Sequence, residues 1–391
     1  MTNLMITGTR QPFAVDAIRK LGRHGHRIVA VDSFEASPGN HSTYVDRALV
    51  TAPPRFEPEL FVAQVVRAID EEDIDVLLPC FEESFYLARH LDALVTRCDP
   101  FLSSFELLSR LHNKQRFTEL ADELGLRVPP TIVATSRAEL EDALGEFETY
   151  LARPVYSRGG TNLLTNAGDG SGDLEDCEPT EAIPWLVQPH VPGEEVCTLS
   201  VVRRGRVTAH ATYLHPVVFD VSGGIVFESI ESPEALEAVQ TLARATDYHG
   251  HIGLDFRRAA DGGLVLVECN PRATAGLTMM PDAMYEAALF GALPARPVVA
   301  PPGERRMIGA AVVRDLLTHF SHLGPDLKHL FSPTTKDLFS AAEDPLPALY
   351  QFLTLGQVRN YQKWAGEDRD SRKDLVKAYC YDWSWDGQPI P

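Results

Sequence analysis

The sequence predicts an α/β protein: a doubly wound parallel lobe at the N-terminus, followed by units built from antiparallel hairpins. Three observations carry this. Short apolar strands alternate with amphipathic helices over the first eighty or so residues, the pattern of a parallel sheet. Val128-Pro129-Pro130 cannot sit inside a helix and marks entry into a second unit. Beyond it, Arg203–Gly205 and Asp261-Gly262-Gly263 each separate two apolar runs in the manner of a hairpin turn.

In the first lobe, Asn3 to Thr7 is a strand ending in Gly8-Thr9-Arg10. Phe13 to Leu21 has helical spacing, Gly22 to Gly25 closes it, and Arg27 to Asp32 is the next strand, completing a βαβ unit. Asp32 at the end of the second strand invites a dinucleotide reading. The turn supplies only Gly8 where GxGxxG needs three glycines, so an ordinary α/β lobe is preferred. Pro58 to Ile69 is a helix with proline harmless in its first turn. Val76 to Cys80 is a buried strand, with Glu82 and Glu83 just past its carboxyl end, where open parallel sheets bind ligands. These acids either hold a polar substrate group or cap the following helix. Phe105 to Leu111 and Phe117 to Leu124 are helical, with Asn113-Lys114 between them.

In the middle of the chain, Thr131 to Ala134 is a strand and Ser136 to Glu139 a capping box. Tyr150 to Tyr156 is a strand carrying Arg153. It runs into Ser157-Arg158-Gly159-Gly160 and a polar stretch with Gly168, Gly170 and Gly172. A cation leading into a flexible Gly and Ser loop suits a cover over phosphates; a plain hairpin loop is the alternative. Trp185 to Gln188 is a further strand, and Val196–Val202 with Val207–Leu214 form a hairpin. Ser232-Pro233 opens a helix. His249 and His251 lack a further His or Cys at zinc-site spacing and are read as strand residues.

Gly253 to Arg272 is the chemical centre. Pairing its two strands across Asp261-Gly262-Gly263 sets Asp255 beside Glu268. Asn270 shares the face of Glu268 because strand side chains alternate. Two carboxylates and an amide oxygen suit a hard cation such as magnesium, which takes its other ligands from water and phosphates. The alternative is a hairpin with solvated acids.

Composition narrows the function classes. A chain of 391 residues is long enough for two or three domains. No apolar run suggests a membrane span, and Met1 to Arg10 does not read as a secretory signal. The six cysteines are scattered with no CxxC pair, which reads as reduced core thiols in a cytoplasmic protein. A net charge of −19 argues against general nucleic-acid affinity and leaves a nucleotide ligand open.

Taken in order, residues 1 to 300 resemble the ATP-grasp ligase superfamily. The resemblance implies an α/β N-terminal lobe (1–112), a linker helix with a small lid lobe (113–187) and a larger antiparallel catalytic lobe with the magnesium site (188–300); residues 301–391, outside the resemblance, read as a mostly helical extension. It implies that Lys114, in LLSRLHNKQRF, and Arg153, in LARPVYSRGG, bind phosphates. Arg153 stands where most members have lysine. Ser157 opens the lid loop, which is poorer in glycine than usual. Gln188, in WLVQPHVPGEE, matches the hinge residue beside adenine, with backbone groups at Val187 and Val191 contacting the ring; Glu195 matches the acid that holds the ribose. Asp255, Glu268 and Asn270 match the metal ligands, and Arg272, in ECNPR, matches an arginine that neutralises substrate or phosphate oxygen.

The implied cofactors are ATP and one or two Mg²⁺ ions, with Mn²⁺ as a substitute; no residue need act as a covalent nucleophile. The implied partners are a small carboxylate and an amine, with a homodimer compatible and neither nucleic acid nor membrane involved. VPGEEVCTLSVV, GLDFRRAADGGLVLVECNPR and EDPLPALYQFL are also similar to the ligases of mycosporine biosynthesis, which implies an enolic ketone as an alternative acceptor. A nucleotide-binding protein without turnover is a third reading, disfavoured by the full set of acids and cations. In the C-terminal third, Met307 to Leu323 and the stretch after Asp344-Pro345 read as helices, and Glu367 to Lys373 as exposed. Trp383 and Trp385 are expected to dock the tail on the body.

Overall fold

Strand β1 (Asn3–Thr7) pairs in parallel with β2 (Arg27–Asp32) on one side and β4 (Val76–Pro79) on the other. Its Leu4, Met5 and Ile6 are fully buried, as both faces of a parallel sheet require. With β3 (Arg47–Val50) and β5 (Asp99–Pro100) the sheet order is β3-β2-β1-β4-β5. The computed structural model describes residues 1–157, 162–168, 172–218, 224–312, 332, 334–364 and 379–391. The glycine stretch at Arg158–Gly160 and Gly170, most of the helix expected to Leu323, and Glu367–Lys373 lie outside the described residues.

The small lobe is an antiparallel sheet of β6 (Ile132–Ala134), β7 (Tyr150–Pro154), β8 (Leu164–Thr165) and β9 (Trp185–Pro189), in the order β6-β9-β7-β8. The large sheet begins with β10 (Glu195–Arg203), β11 (Arg206–Val218), β12 (Gly224–Ile230), β13 (Gly250–Arg258) and β14 (Leu264–Asn270), in the order β14-β13-β10-β11-β12. Short β15 (Val298–Val299) pairs with β11, while β16 (Arg305–Met307) and β17 (Thr335–Asp337) extend the sheet beyond β12. The segment after residue 300 therefore contributes strands to the same sheet as well as the helix Leu346–Trp364. Among the described residues no helix is long and apolar enough to cross a membrane.

Buried charge ties the C-terminal segment to the first lobe. Arg19, on the helix Pro12–Arg23, bonds Asp344 at 2.7 Å and the carbonyls of Leu338 and Phe339. The Arg10 guanidinium lies 2.7 Å from Asp32 and 2.9 Å from Asp382, stacked between the rings of Phe34 and Trp383. All three charged side chains are fully buried, which is tolerable only because they are paired and hydrogen-bonded. Asp32 is thus a structural anchor, and the dinucleotide reading of that strand end is set aside. Trp383 and Trp385 are 1% and 5% exposed, so the tail docks as expected.

Candidate functional site

The hairpin of β13 and β14 has the expected register. Asp255 pairs with Glu268, and Gly253 with Asn270. An irregularity between Asp255 and Phe256 shifts the pairing beyond that point. β10 lies on the other side of β13, where Cys197 pairs with Asp255 and Glu195 with Arg257. Glu195, Cys197, Asp255 and Glu268 therefore share one sheet face. Asn270 joins them, its amide N–H donating to Asp255 at 2.7 Å.

Two cations meet this face from the other lobes. Asn113 caps the helix Lys114–Glu123, accepting from the N–H of Arg116, and so places Lys114 at the first helical position. The Lys114 ammonium donates to the Ser157 carbonyl at 2.6 Å and lies 3.2 Å from Glu268. Arg153, on β7, reaches the same carboxylate at 3.0 Å and the Val267 carbonyl at 2.8 Å. Its Nε is buried with no hydrogen-bond partner among the described residues. One acid thus holds two cations that come from sequence positions 39 residues apart.

The charges of the two acids diverge. Burial alone would raise the pKa of Glu268, but Lys114 and Arg153 outweigh it and hold it below the usual carboxylate range. Among the described residues Asp255 has no ion pair. Burial, with Glu268 and Glu195 nearby, pushes it up to about 7. Arg272 donates to the Asn270 amide oxygen at 3.1 Å, lies over the Phe81 ring and stands 3.8 Å from Glu82. Glu82 also accepts from the backbone N–H of Trp385. Its neighbour Glu83 is structural: one carboxylate oxygen accepts from Thr7, Cys80 and Phe81. Gly8, at φ +71°, leaves room for that carboxylate, since a Cβ there would sit 2.9 Å from it.

At the hinge, Gln188 is buried and donates to Thr131 at 2.9 Å. Val187 lies in mid-sheet between Ile132 and Ala152, so its backbone belongs to the strand ladder and not to an open adenine edge. The Val191 carbonyl accepts from Arg257. Gly193 has φ +119°, and a Cβ there would meet the Arg258 carbonyl at 2.1 Å, so only glycine lets the hinge pass β13 so closely. Glu195 is hydrogen-bonded to His215 at 3.1 Å, which lowers its pKa against the raising effect of burial. His251, four residues before Asp255 on β13, bonds Tyr285 at 3.0 Å, and His249 precedes the strand.

The residues fit a hard divalent cation. Asp255 is an acid raised by burial and by the nearby Glu268 and Glu195, with a second carboxylate and an amide in reach. Coordination by the Asn270 oxygen takes a half-turn of its amide, which gives up the present bonds to Asp255 and Arg272. Sequence reasoning singled out Lys114, Arg153, Glu195, Asp255, Glu268, Asn270 and Arg272, which the structure brings together around one sheet face. It missed His215 beside Glu195 and the contact of Glu82 with Arg272, because nothing local in sequence brings those pairs together.

No protein-family model matches the chain. The arginine-specific large chain of carbamoyl phosphate synthase from Bacillus subtilis (strain 168) is 27% identical over 234 residues, 56% of this chain. The matched region spans only about a fifth, 22%, of that relative's length. The fold is similar to the biotin carboxylase domain of the 2-oxoglutarate carboxylase of Hydrogenobacter thermophilus, solved with MgADP, ADP and bicarbonate. The TM-score is 0.60 at 14% identity, over 76% of this chain and 72% of that one. It is also similar to an L-amino acid ligase from Bacillus licheniformis, with a TM-score of 0.53 at 16% identity over 74% of each chain. The three lobes, their strand orders and these likenesses agree, and the chain is an ATP-grasp protein by fold.

Proposed function

We propose that the protein is an ATP-dependent ligase that joins a carboxylate to an amine through an acyl phosphate, releasing ADP and phosphate. The observation that carries the reading is the convergence of Lys114, at the start of a helix, and Arg153, on a strand of the small lobe, on the Glu268 carboxylate. Two cations aimed at one acid beside a cation site form a cradle that a polyphosphate fills. Transfer of a γ-phosphoryl group asks chiefly for neutralised equatorial oxygens and aligned reactants.

In this reading Glu195 receives the ribose hydroxyls and the hinge from Gln188 to Val191 borders the adenine. Lys114 and Arg153 neutralise the phosphate oxygens, the free Arg153 Nε supplying one more donor. Asp255, Glu268 and the Asn270 oxygen would hold one or two Mg²⁺ ions, which supply charge neutralisation across the phosphate oxygens when bound. Arg272 holds the acceptor carboxylate in line. A carboxylate oxygen displaces ADP from the γ-phosphorus. The amine nitrogen then attacks the carbonyl carbon, the C–O bond to phosphate breaks, and the amine gives up a proton. Ser157, whose carbonyl accepts from Lys114, borders the same phosphates. The L-amino acid ligase and carbamoyl phosphate synthase likenesses support this class of chemistry.

The test is phosphate release from MgATP with pairs of carboxylates and amines. Release that needs both partners and yields ADP is expected. Release only with an enolic ketone, or AMP as product, would overturn the carboxylate reading. MgADP binding with no release from any pair would favour a protein that binds nucleotide without turnover.

A further inference from the structure

Glu195, Cys197 and His215 bring a carboxylate oxygen, a thiol and an imidazole nitrogen within 4.8 Å of one another. The sheet dictates this. Glu195 and Cys197 alternate on β10 and so face the same way. The register Cys197 to Tyr213 and Val196 to Leu214, carried one step further, sets His215 across from Glu195. On the other neighbour, Asp255 pairs with Cys197 and is hydrogen-bonded to its thiol. Among the described residues no other three such side chains come together.

Magnesium is bound by oxygen and has no use for a thiol or an imidazole. Zinc takes sulfur, nitrogen and carboxylate oxygen together, usually in a tetrahedron with bonds of about 2.0 to 2.3 Å. Those bonds set ligand atoms roughly 3.3 to 3.8 Å apart, so closing this cage takes side-chain movements on the order of 1 Å. The Glu195–His215 contact at 3.1 Å is slightly shorter than that spacing. The thiol is 3% exposed and opens toward the same face as Glu195, whose side chain is 38% exposed and gives an entry path.

We propose that Glu195, Cys197 and His215 form a site for zinc or a similar borderline divalent cation, with Asp255 or water as fourth ligand, and that this site overlaps the ribose end of the nucleotide cleft. Zinc and nucleotide then exclude one another, because both claim Glu195. On binding, the Cys197 sulfur donates an electron pair to the ion and its proton leaves to solvent, one proton per ion. The exclusion rests on the nucleotide reading; the metal site does not.

The probe is cobalt(II), added to the EDTA-stripped, dialysed full-length protein without nucleotide. One equivalent with a near-ultraviolet thiolate-to-cobalt charge-transfer band is expected, displaced by zinc. Cys197→Ser removes the band, and His215→Gln keeps it while weakening cobalt binding at least about tenfold. A wild-type protein without the band, or a Cys197→Ser protein that retains it, overturns the site. Saturating ADP is expected to bleach the band; a band that persists while calorimetry shows ADP bound overturns the overlap. If calorimetry shows no ADP binding, the nucleotide reading fails, and the cobalt band still decides the metal site on its own.

Discussion

Asp255→Asn isolates the charge that the cation site keeps uncompensated. The carboxyl is raised from its ordinary 3.8 to about 7 by burial and by Glu268 and Glu195. A raised acid binds its proton more tightly in the folded chain than in the unfolded one. Its contribution is therefore most favourable below pH 3.8 and is lost progressively as pH rises to about 7, above which the full penalty applies. Each tenfold change in proton affinity is worth about 1.4 kcal/mol, so the full penalty is on the order of 4 kcal/mol. Between pH 5 and pH 8 it grows by roughly 2 to 3 kcal/mol, and water reaching the cleft reduces that to about 2 kcal/mol. The asparagine amide has the same shape and no charge. With EDTA present, Asp255→Asn should gain about 2 kcal/mol on the natural protein between pH 5 and pH 8. The assay is urea denaturation of both proteins at the two pH values, compared as a difference so that all other titrations cancel. A gap that stays constant with pH would refute the reasoning, as would one that shrinks.

Three further outcomes follow from the same contacts. Lys114→Met should weaken MgADP binding roughly tenfold to a hundredfold, the worth of one charge-assisted contact, in calorimetry on a protein with unchanged circular dichroism. Glu268→Gln strands Lys114 and Arg153 and should cost about 3 kcal/mol of nucleotide-free stability, with phosphate release abolished. Unchanged release in that variant would rule out Glu268 as a metal ligand. Arg10→Ala leaves Asp32 and Asp382 buried without their cation and should cost roughly 3 to 5 kcal/mol, read by denaturant midpoint and by faster proteolysis of the C-terminal segment.

The cation site was legible in the sequence because it is local. Strand alternation and an Asp-Gly turn are enough to set Asp255 beside Glu268, and the register bears that out. Arg153 and Lys114 were found by family likeness and not by geometry, since nothing in their own segments points at Glu268. Three things were out of reach. The Glu195–His215 pair depends on strand register over a long hairpin. The Arg10–Asp32–Asp382 cluster joins residues more than 300 positions apart, and Asp32 alone suggested a ribose contact that its burial forbids. The contribution of β16 and β17 to the large sheet hides in two short, charged segments that no periodicity marks.

On the proposed reading, the pairing of Lys114 and Arg153 with Glu268 also sets the order in which metal and nucleotide enter the site. Without nucleotide, the two cations satisfy this acid and keep it ionised. A bare divalent ion would have to displace both cations from Glu268, leaving the guanidinium and the buried ammonium without that carboxylate. A phosphate chain arriving with its metal avoids that cost: its oxygens take over Lys114 and Arg153 at the moment its cation takes over Glu268. The metal is then recruited by the nucleotide, and the acid that binds it also keeps the phosphate cations in place until the exchange.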